Sequence, residues 1–373
     1  MQNQDINKSH DFLPLKRIDY IEFYVGNAKQ SAFYYQKALG FNLTGYSGLE
    51  TKNKDQCSYL LEQGKIRILL TTPLTNHGFI SEHIKKHGDG VRDIAFEVND
   101  SEKSFIETTS RGARPVMTPT EIKDENGIIV KSSIATFGDT VHSFIERKNF
   151  NGLFIPGFIP PGKRAVPDIK DSGLRSVDHI VGNVELGHMN YWVRFYERIM
   201  GFSQLISFDD KDISTEYTAL MSKVVQNGTG KIKFPLNEPA KGKKRSQIDE
   251  YLDFYYSAGV QHIALSTANI VETITILKHN GVEFLNVPST YYEILENRVG
   301  KIDEDISELK NHGILVDKDD DGYLLQLFSK PIEDKPTLFL EVIQRKGAKS
   351  FGKGNFKALF ESIEREQALR GTL

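Results

Sequence analysis

His179, His262 and Glu341 are the residues whose types and spacing could act together in chemistry. The two intervals between them are nearly equal, as expected if each step spans one copy of a repeated strand unit and its loop. Glu341 lies in the run Leu338-Phe339-Leu340-Glu341-Val342-Ile343, and a carboxylate inside an apolar strand is costly unless it is paired or binds a cation. Two imidazoles and one carboxylate on one face of a metal leave the opposite positions open, a donor set that favours non-haem Fe(II) poised for oxygen chemistry. A single strand histidine is more often a satisfied structural residue, and a single strand glutamate more often faces water. The three together carry the metal reading.

An internal repeat would position them. Arg17-Ile18-Asp19-Tyr20-Ile21 is echoed by Arg175-Ser176-Val177-Asp178-His179-Ile180, and Gly40-Phe41 by Gly201-Phe202. Gly90-Val91-Arg92-Asp93-Ile94-Ala95 returns as Gly259-Val260-Gln261-His262-Ile263-Ala264, and the same offset aligns Gly112 with Gly281 and Pro119 with Pro288. At the aligned positions Tyr20 has become His179, Asp93 has become His262, and the first half offers Ser143 where the second has Glu341. Only the second half has the metal ligands.

The elements follow from periodicity. Strands are expected over 18–25, 57–61, 66–70 and 91–98, with helices over 28–39 and 101–110 stopped at Gly40 and Gly112. The second half repeats the order, with helices over 189–200 and 270–279 and strands near 178–184, 204–208, 219–225, 261–266, 323–328 and 338–343. That gives two β-α-β-β-β units per half, each unit expected to start a new sheet, and an α+β fold of two barrel-like domains. The expected division is a flexible tail over 1–14, a domain without metal ligands over 15–153, a linker over 154–174, and a catalytic iron-binding domain over 175–373. The segment from Phe154 to Pro167, dense in Gly and Pro, marks the linker. Residues 355–370 read as an amphipathic helix with Phe356, Leu359, Phe360 and Ile363 on one face and Glu361, Glu364 and Arg365 elsewhere; it either lids the site or packs on the outside of the barrel.

A chain of 373 residues with 39% hydrophobic composition can build two cores. A net charge of -3, from 47 basic against 50 acidic residues, argues against a nucleic-acid or anionic-membrane partner and for a small molecule. One cysteine, a polar start and no run of about 18 apolar residues point to a cytoplasmic protein. Three signals are set aside. Asp317, Asp319 and Asp321 with Gly322 begin like a calcium loop, but Phe328 stands at the closing position, so a β-turn is expected. The basic run Lys241 to Arg245 reads as a solvated loop, and His83, His87, His188 and His312 as surface residues.

The segments Phe234-Pro235-Leu236-Asn237-Glu238-Pro239, Val287-Pro288-Ser289-Thr290-Tyr291-Tyr292, Gly322-Tyr323-Leu324-Leu325-Gln326 and Phe351-Gly352-Lys353-Gly354-Asn355-Phe356 join the His262 and Glu341 motifs in a further pattern. With them the chain resembles the 4-hydroxyphenylpyruvate dioxygenases, of the vicinal oxygen chelate superfamily, from about Leu15 to the end. The resemblance implies conversion of 4-hydroxyphenylpyruvate and O2 to homogentisate and CO2, a step of tyrosine and phenylalanine catabolism. It implies Fe(II) on His179, His262 and Glu341, with Gln261 and Gln326 also acting in catalysis. It implies a substrate pocket of Ser222, Asn237, Gln247, Gln261 and Gln326, with Phe339, Phe351, Asn355, Phe356 and Leu359 around the ring, and a homo-oligomer, dimer or tetramer. The rivals are 4-hydroxymandelate synthase, which oxidises the benzylic carbon of the same substrate, and a non-catalytic binder of the same fold. Pro235 and Asn237 point to the ring-hydroxylating branch.

Overall fold

Gly40 and Gly201 each end the first long helix of their half in the left-handed region, at φ +78° and +70°, which explains why the repeat keeps a glycine there. These helices, Ala28–Lys37 and Met189–Met200, return the chain to its sheet. The second helix of each half starts on a matching side-chain cap: Asp100 accepts from the Lys103 amide, and Asn269 from the Glu272 amide. The computed structural model describes residues 11–373 except 210–214 and 216. Residues 1–10 of the tail expected over 1–14 therefore lie outside the described residues. At its other end Leu13 is already core, 2% exposed, and the neighbouring Phe12 ring lies against Gly201 and the Arg111 guanidinium.

The first half contains β1 (Arg17–Tyr24), β2 (Asn42–Ser47), β3 (Gln56–Gln63), β4 (Ile66–Pro73), β5 (Gly90–Val98), β6 (Pro115–Asp124), β7 (Gly127–Ala135) and β8 (Val141–Phe150). The second contains β9 (Leu174–Asn183), β10 (Ser203–Phe208), β11 (Ala219–Gln226), β12 (Lys233–Ala240), β13 (Gly259–Thr267), β14 (Leu315–Asp319), β15 (Gly322–Phe328) and β16 (Phe339–Lys346). The sheets run β2-β3-β4-β1-β5-β8-β7-β6 and β10-β11-β12-β9-β13-β16-β15-β14, the same order twice. Both units of a half thus share one sheet, where a new sheet per unit was expected. The reason is the antiparallel pairing of each unit's first strand, β1 with β5 and β9 with β13.

Each central antiparallel pair has a parallel neighbour on either side, and β5 and β13 are almost wholly inaccessible. One hydrophobic cluster runs through both halves. At their junction the His142 ring lies against Tyr196 and Phe234, and its Nε2 is 2.8 Å from the Tyr196 hydroxyl. The Gly- and Pro-rich connection folds back on the first half, pairing Ile159 with Tyr46 and burying Phe154 against Tyr20. Among the described residues no helix is long and apolar enough to cross a membrane.

His83 and His87 correct their reading as surface residues. They lie on the helix Phe79–His87 at 3% and 0% exposure, because Tyr255 of the second half stacks on His87 and covers them. His188 is exposed and His312 half-buried. The Asp319 to Gly322 segment is a hairpin turn, in which Asp319 accepts from the Asp321 and Gly322 amides.

Candidate metal centre and substrate pocket

Strand β13 lies between β9 and β16, and its Ala264 is in register with His179 on one side and Glu341 on the other. His262 stands two residues back on the same face. The short methyl of Ala264 leaves the space above it to the three longer side chains. Their ligand atoms all lie within 4.8 Å of one another. Glu341 Oε2 is 3.2 Å from His179 Nε2 and 3.3 Å from His262 Nε2, and the three residues are 1%, 4% and 7% exposed.

Each ligand is held from behind. His179 Nδ1 meets Asp178 Oδ1 at 2.8 Å, and Arg345 grips that carboxylate at 2.7 and 2.8 Å. Burial alone would raise the Asp178 carboxyl, but the hydrogen bonds from Arg345 and His179 hold it far below the usual range. The His262 Nδ1 faces Gln261 Oε1 at 3.1 Å, and the Phe339 ring stacks on its imidazole at 4.8 Å. Gln326 Nε2 donates to Glu341 Oε1 at 3.1 Å, leaving Oε2 for the imidazoles. Burial would raise Glu341 too, yet His179 and His262 bring it down to about 2. Burial lowers His262, whereas at His179 the Glu341 charge and the Asp178 hydrogen bond overcome burial and raise it. Two imidazoles and a carboxylate drawn around one buried point are a donor set that a divalent cation would complete.

The cavity beside the triad has a volume of about 50 Å³. Ser222, Asn237, Gln326, Phe351, Phe356 and Leu359, six of the residues that the resemblance implies for the pocket, line it together with Val181, Phe208, Val224, Pro235 and Phe328. Those additions come from alternate positions of β9 to β12 and β15, where an inward apolar side chain looks like any other core residue. Asn355 stands one step behind, donating to Gln326 Oε1 at 2.9 Å and accepting from the Tyr291 hydroxyl at 2.6 Å. Gln247, Gln261 and Phe339 line an adjoining cavity of about 30 Å³ under the C-terminal helix.

That helix, Phe356–Arg370, closes over the pocket with Leu359, Phe360 and Ile363 buried. Glu364 does not belong to its polar face: it is 7% exposed and accepts hydrogen bonds from the Thr215 and Thr218 hydroxyls. The last turn is tied down by Arg370, which reaches the buried Glu250 carboxylate at 2.9 Å.

In the first half the matching positions are filled differently. Tyr20, Asp93 and Ser143 stand where His179, His262 and Glu341 do, and Lys131 stands at the place of Gln326. The Lys131 ammonium is 2.7 Å from the Tyr20 hydroxyl and 3.2 Å from Asp93, while Ser143 donates to Asp93 at 2.5 Å.

Repeat, sheet order and triad define the class. A family model described as "Glyoxalase/Bleomycin resistance protein/Dioxygenase superfamily" matches residues 17–146 and 176–327, one stretch per half. Similar sequences narrow it. A 4-hydroxyphenylpyruvate dioxygenase of Aspergillus fumigatus is 44% identical over 96% of this chain and 94% of that protein. One of Xenopus tropicalis is 45% identical over 95% and 92%. Among solved structures, a triple mutant of 4-hydroxymandelate synthase from Streptomyces coelicolor superposes with TM-score 0.84 at 29% identity, covering 95% of this chain and all of that one. The chain belongs to the 4-hydroxyphenylpyruvate dioxygenase family and is an enzyme. Its higher identity is to the dioxygenases, not to the synthase.

Proposed function

We propose that the chain converts 4-hydroxyphenylpyruvate and dioxygen to homogentisate and CO2, with iron(II) held by His179, His262 and Glu341. The observation that carries this is the meeting of the three donors around one buried point within 4.8 Å, in a member of this family. Iron(II), when bound, supplies dioxygen activation and the oxidative decarboxylation of a 2-oxo acid.

The protein's own contributions follow from the geometry. Asp178 and Arg345 fix the His179 ring so that Nε2 points inward, and Phe339 and Gln261 do the same for His262. Gln326 selects which Glu341 oxygen faces the imidazoles, and it is itself oriented by Asn355. Ser222, Asn237 and Gln326 are the polar groups offered to substrate; neutral amides can orient a phenol and a carboxylate without ionising. Phe351, Phe356, Leu359 and Phe328 exclude water from the reacting centre. Gln247 and Gln261, which line the adjoining cavity with Phe339, are proposed as further polar contacts to substrate, and Gln261 also meets His262 Nδ1. We propose that the helix Phe356–Arg370, which sets Phe356 and Leu359 in the pocket wall, acts as a lid over the substrate.

The working division is a first domain over 15–153, a linker over 154–174 and a catalytic domain over 175–373. We also propose that the protein is cytoplasmic and works as a homo-oligomer. The exposed edge strand β6, with Val116 and Met117 open to solvent, supports the oligomer, and light scattering reads it. The central test is iron content per chain together with the product formed from 4-hydroxyphenylpyruvate. Homogentisate at one iron per chain is expected, and 4-hydroxymandelate would overturn the assignment.

A further inference from the structure

Away from the triad, a cleft of about 510 Å³ opens where the two halves meet. Its walls bring together five cations, Lys16, Arg17, Lys65, Lys231 and Lys233, with a single carboxylate, Asp178. In a chain whose net charge is -3 this concentration is not a reflection of overall composition.

The repeat explains how it arises. Gly64-Lys65-Ile66 and Gly230-Lys231-Ile232 are the same turn in the two halves, both with the glycine left-handed, at φ +56° and +67°. The two halves therefore present equivalent lysines to one cleft. Deeper in, Lys233 takes the place that Arg67 has in the first half, and there the copies diverge. Arg67 is paired with Glu62 at 2.7 Å and Asp19 at 3.2 Å. Lys233 is half-buried and has no ion pair among the described residues, since Asp178, the counterpart of Asp19, is occupied by Arg345 and His179. Burial lowers the Lys233 ammonium in spite of Asp178, the mark of a cation short of a counter-ion. Lys65 and Lys231 are exposed and likewise without an ion pair among the described residues, whereas Lys16 and Arg17 share Glu97.

The other basic segment is unlike this. Around Lys241 to Arg245 the depression also holds Asp249, Glu250 and Asp253, and Arg245 is paired with Asp253.

We propose that the cleft is a binding site for a small multivalent oxyanion, bound by Lys65, Lys231 and Lys233 with Lys16 and Arg17 at the rim. Phosphate-bearing and dicarboxylate metabolites share this chemistry. Asp178 faces the cleft and also holds His179, so a bound anion would sit one residue from a proposed metal ligand.

Calorimetric titration of the iron-loaded full chain with inorganic phosphate and, separately, with succinate, at constant ionic strength, tests this. One saturable site per chain is expected, its affinity falling at least 10-fold in Lys65→Ala/Lys231→Ala and again in Lys233→Ala. Saturation by phosphate alone or succinate alone identifies the source of the anion. Lys243→Ala/Lys244→Ala should leave the affinity unchanged. No saturable heat with either probe, or equal losses in both double variants, would overturn the proposal. Lys65 and Lys231 are surface residues, so their variant keeps the test decisive even if Lys233→Ala fails to fold.

Discussion

The Lys131 ammonium lies 3.2 Å from the Asp93 carboxylate, in the half that carries no metal ligands. Asp93 matches His262, so a positive charge stands beside a residue whose counterpart belongs to the triad. Burial would lower Lys131, but Asp93 and then Glu22 overcome it and hold the ammonium charged. Lys131→Met would leave Asp93, 2% exposed, without its cation. Urea denaturation should show a loss of about 3 kcal/mol. Adding Asp93→Asn should recover part of it, while iron content per folded chain stays unchanged.

His179→Ala, His262→Ala and Glu341→Ala should each abolish oxygen uptake while circular dichroism reports an intact fold. Full activity in any of them removes that residue from the ligand set. Asp178→Asn should weaken iron binding by about 10- to 100-fold without abolishing it, since the lost group orients His179 and does not hold the ion.

Deleting the chain from Asn355 onward removes Phe356 and Leu359 from the pocket wall. We expect kcat/KM to fall by about 100-fold, equivalent to about 2.7 kcal/mol of lost transition-state stabilisation. Arg370→Met should do the same more mildly, because it frees the last turn from Glu250. Unchanged kinetics in both would make the helix mere packing.

His142 gives the acid sensitivity. Burial between the halves lowers its imidazole from 6.5 to about 4 although the Ile94 carbonyl favours the charged form. A group depressed in the folded state contributes stability that is fully present above pH 6.5 and is lost as the pH falls toward 4. The loss over that window should be about 3 kcal/mol, at about 1.4 kcal/mol per pH unit. His142→Gln should flatten the slope of unfolding free energy between pH 4 and 6.5 even if it lowers stability throughout.

The repeat made the site legible. Aligning Tyr20 with His179 and Asp93 with His262 placed the ligands on matching strands, and the register of β13 with β16 sets Glu341 opposite Ala264. Helices such as 101–110 and 270–279 were readable because a capping residue opens each and a glycine follows each. What escaped depended on partners distant in the chain. His87 is covered by Tyr255 of the other half, Glu364 is satisfied by Thr215 and Thr218, and the Asp178 carboxylate is matched by Arg345. Gln247 and Gln261, which the resemblance implies for the substrate pocket, line an adjoining cavity with Phe339, a placement that strand periodicity does not report.

The uninterrupted apolar interior linking both sheets has a consequence for how this molecule can change. The copy without the triad is a wall of the other copy's foundation, so Tyr20, Asp93 and Ser143 can differ from the triad while the shape of that half cannot. Neither copy should stand when cut from the other, and loosening the wall at His142 or Tyr196 should disturb the His179, His262 and Glu341 cluster from a distance.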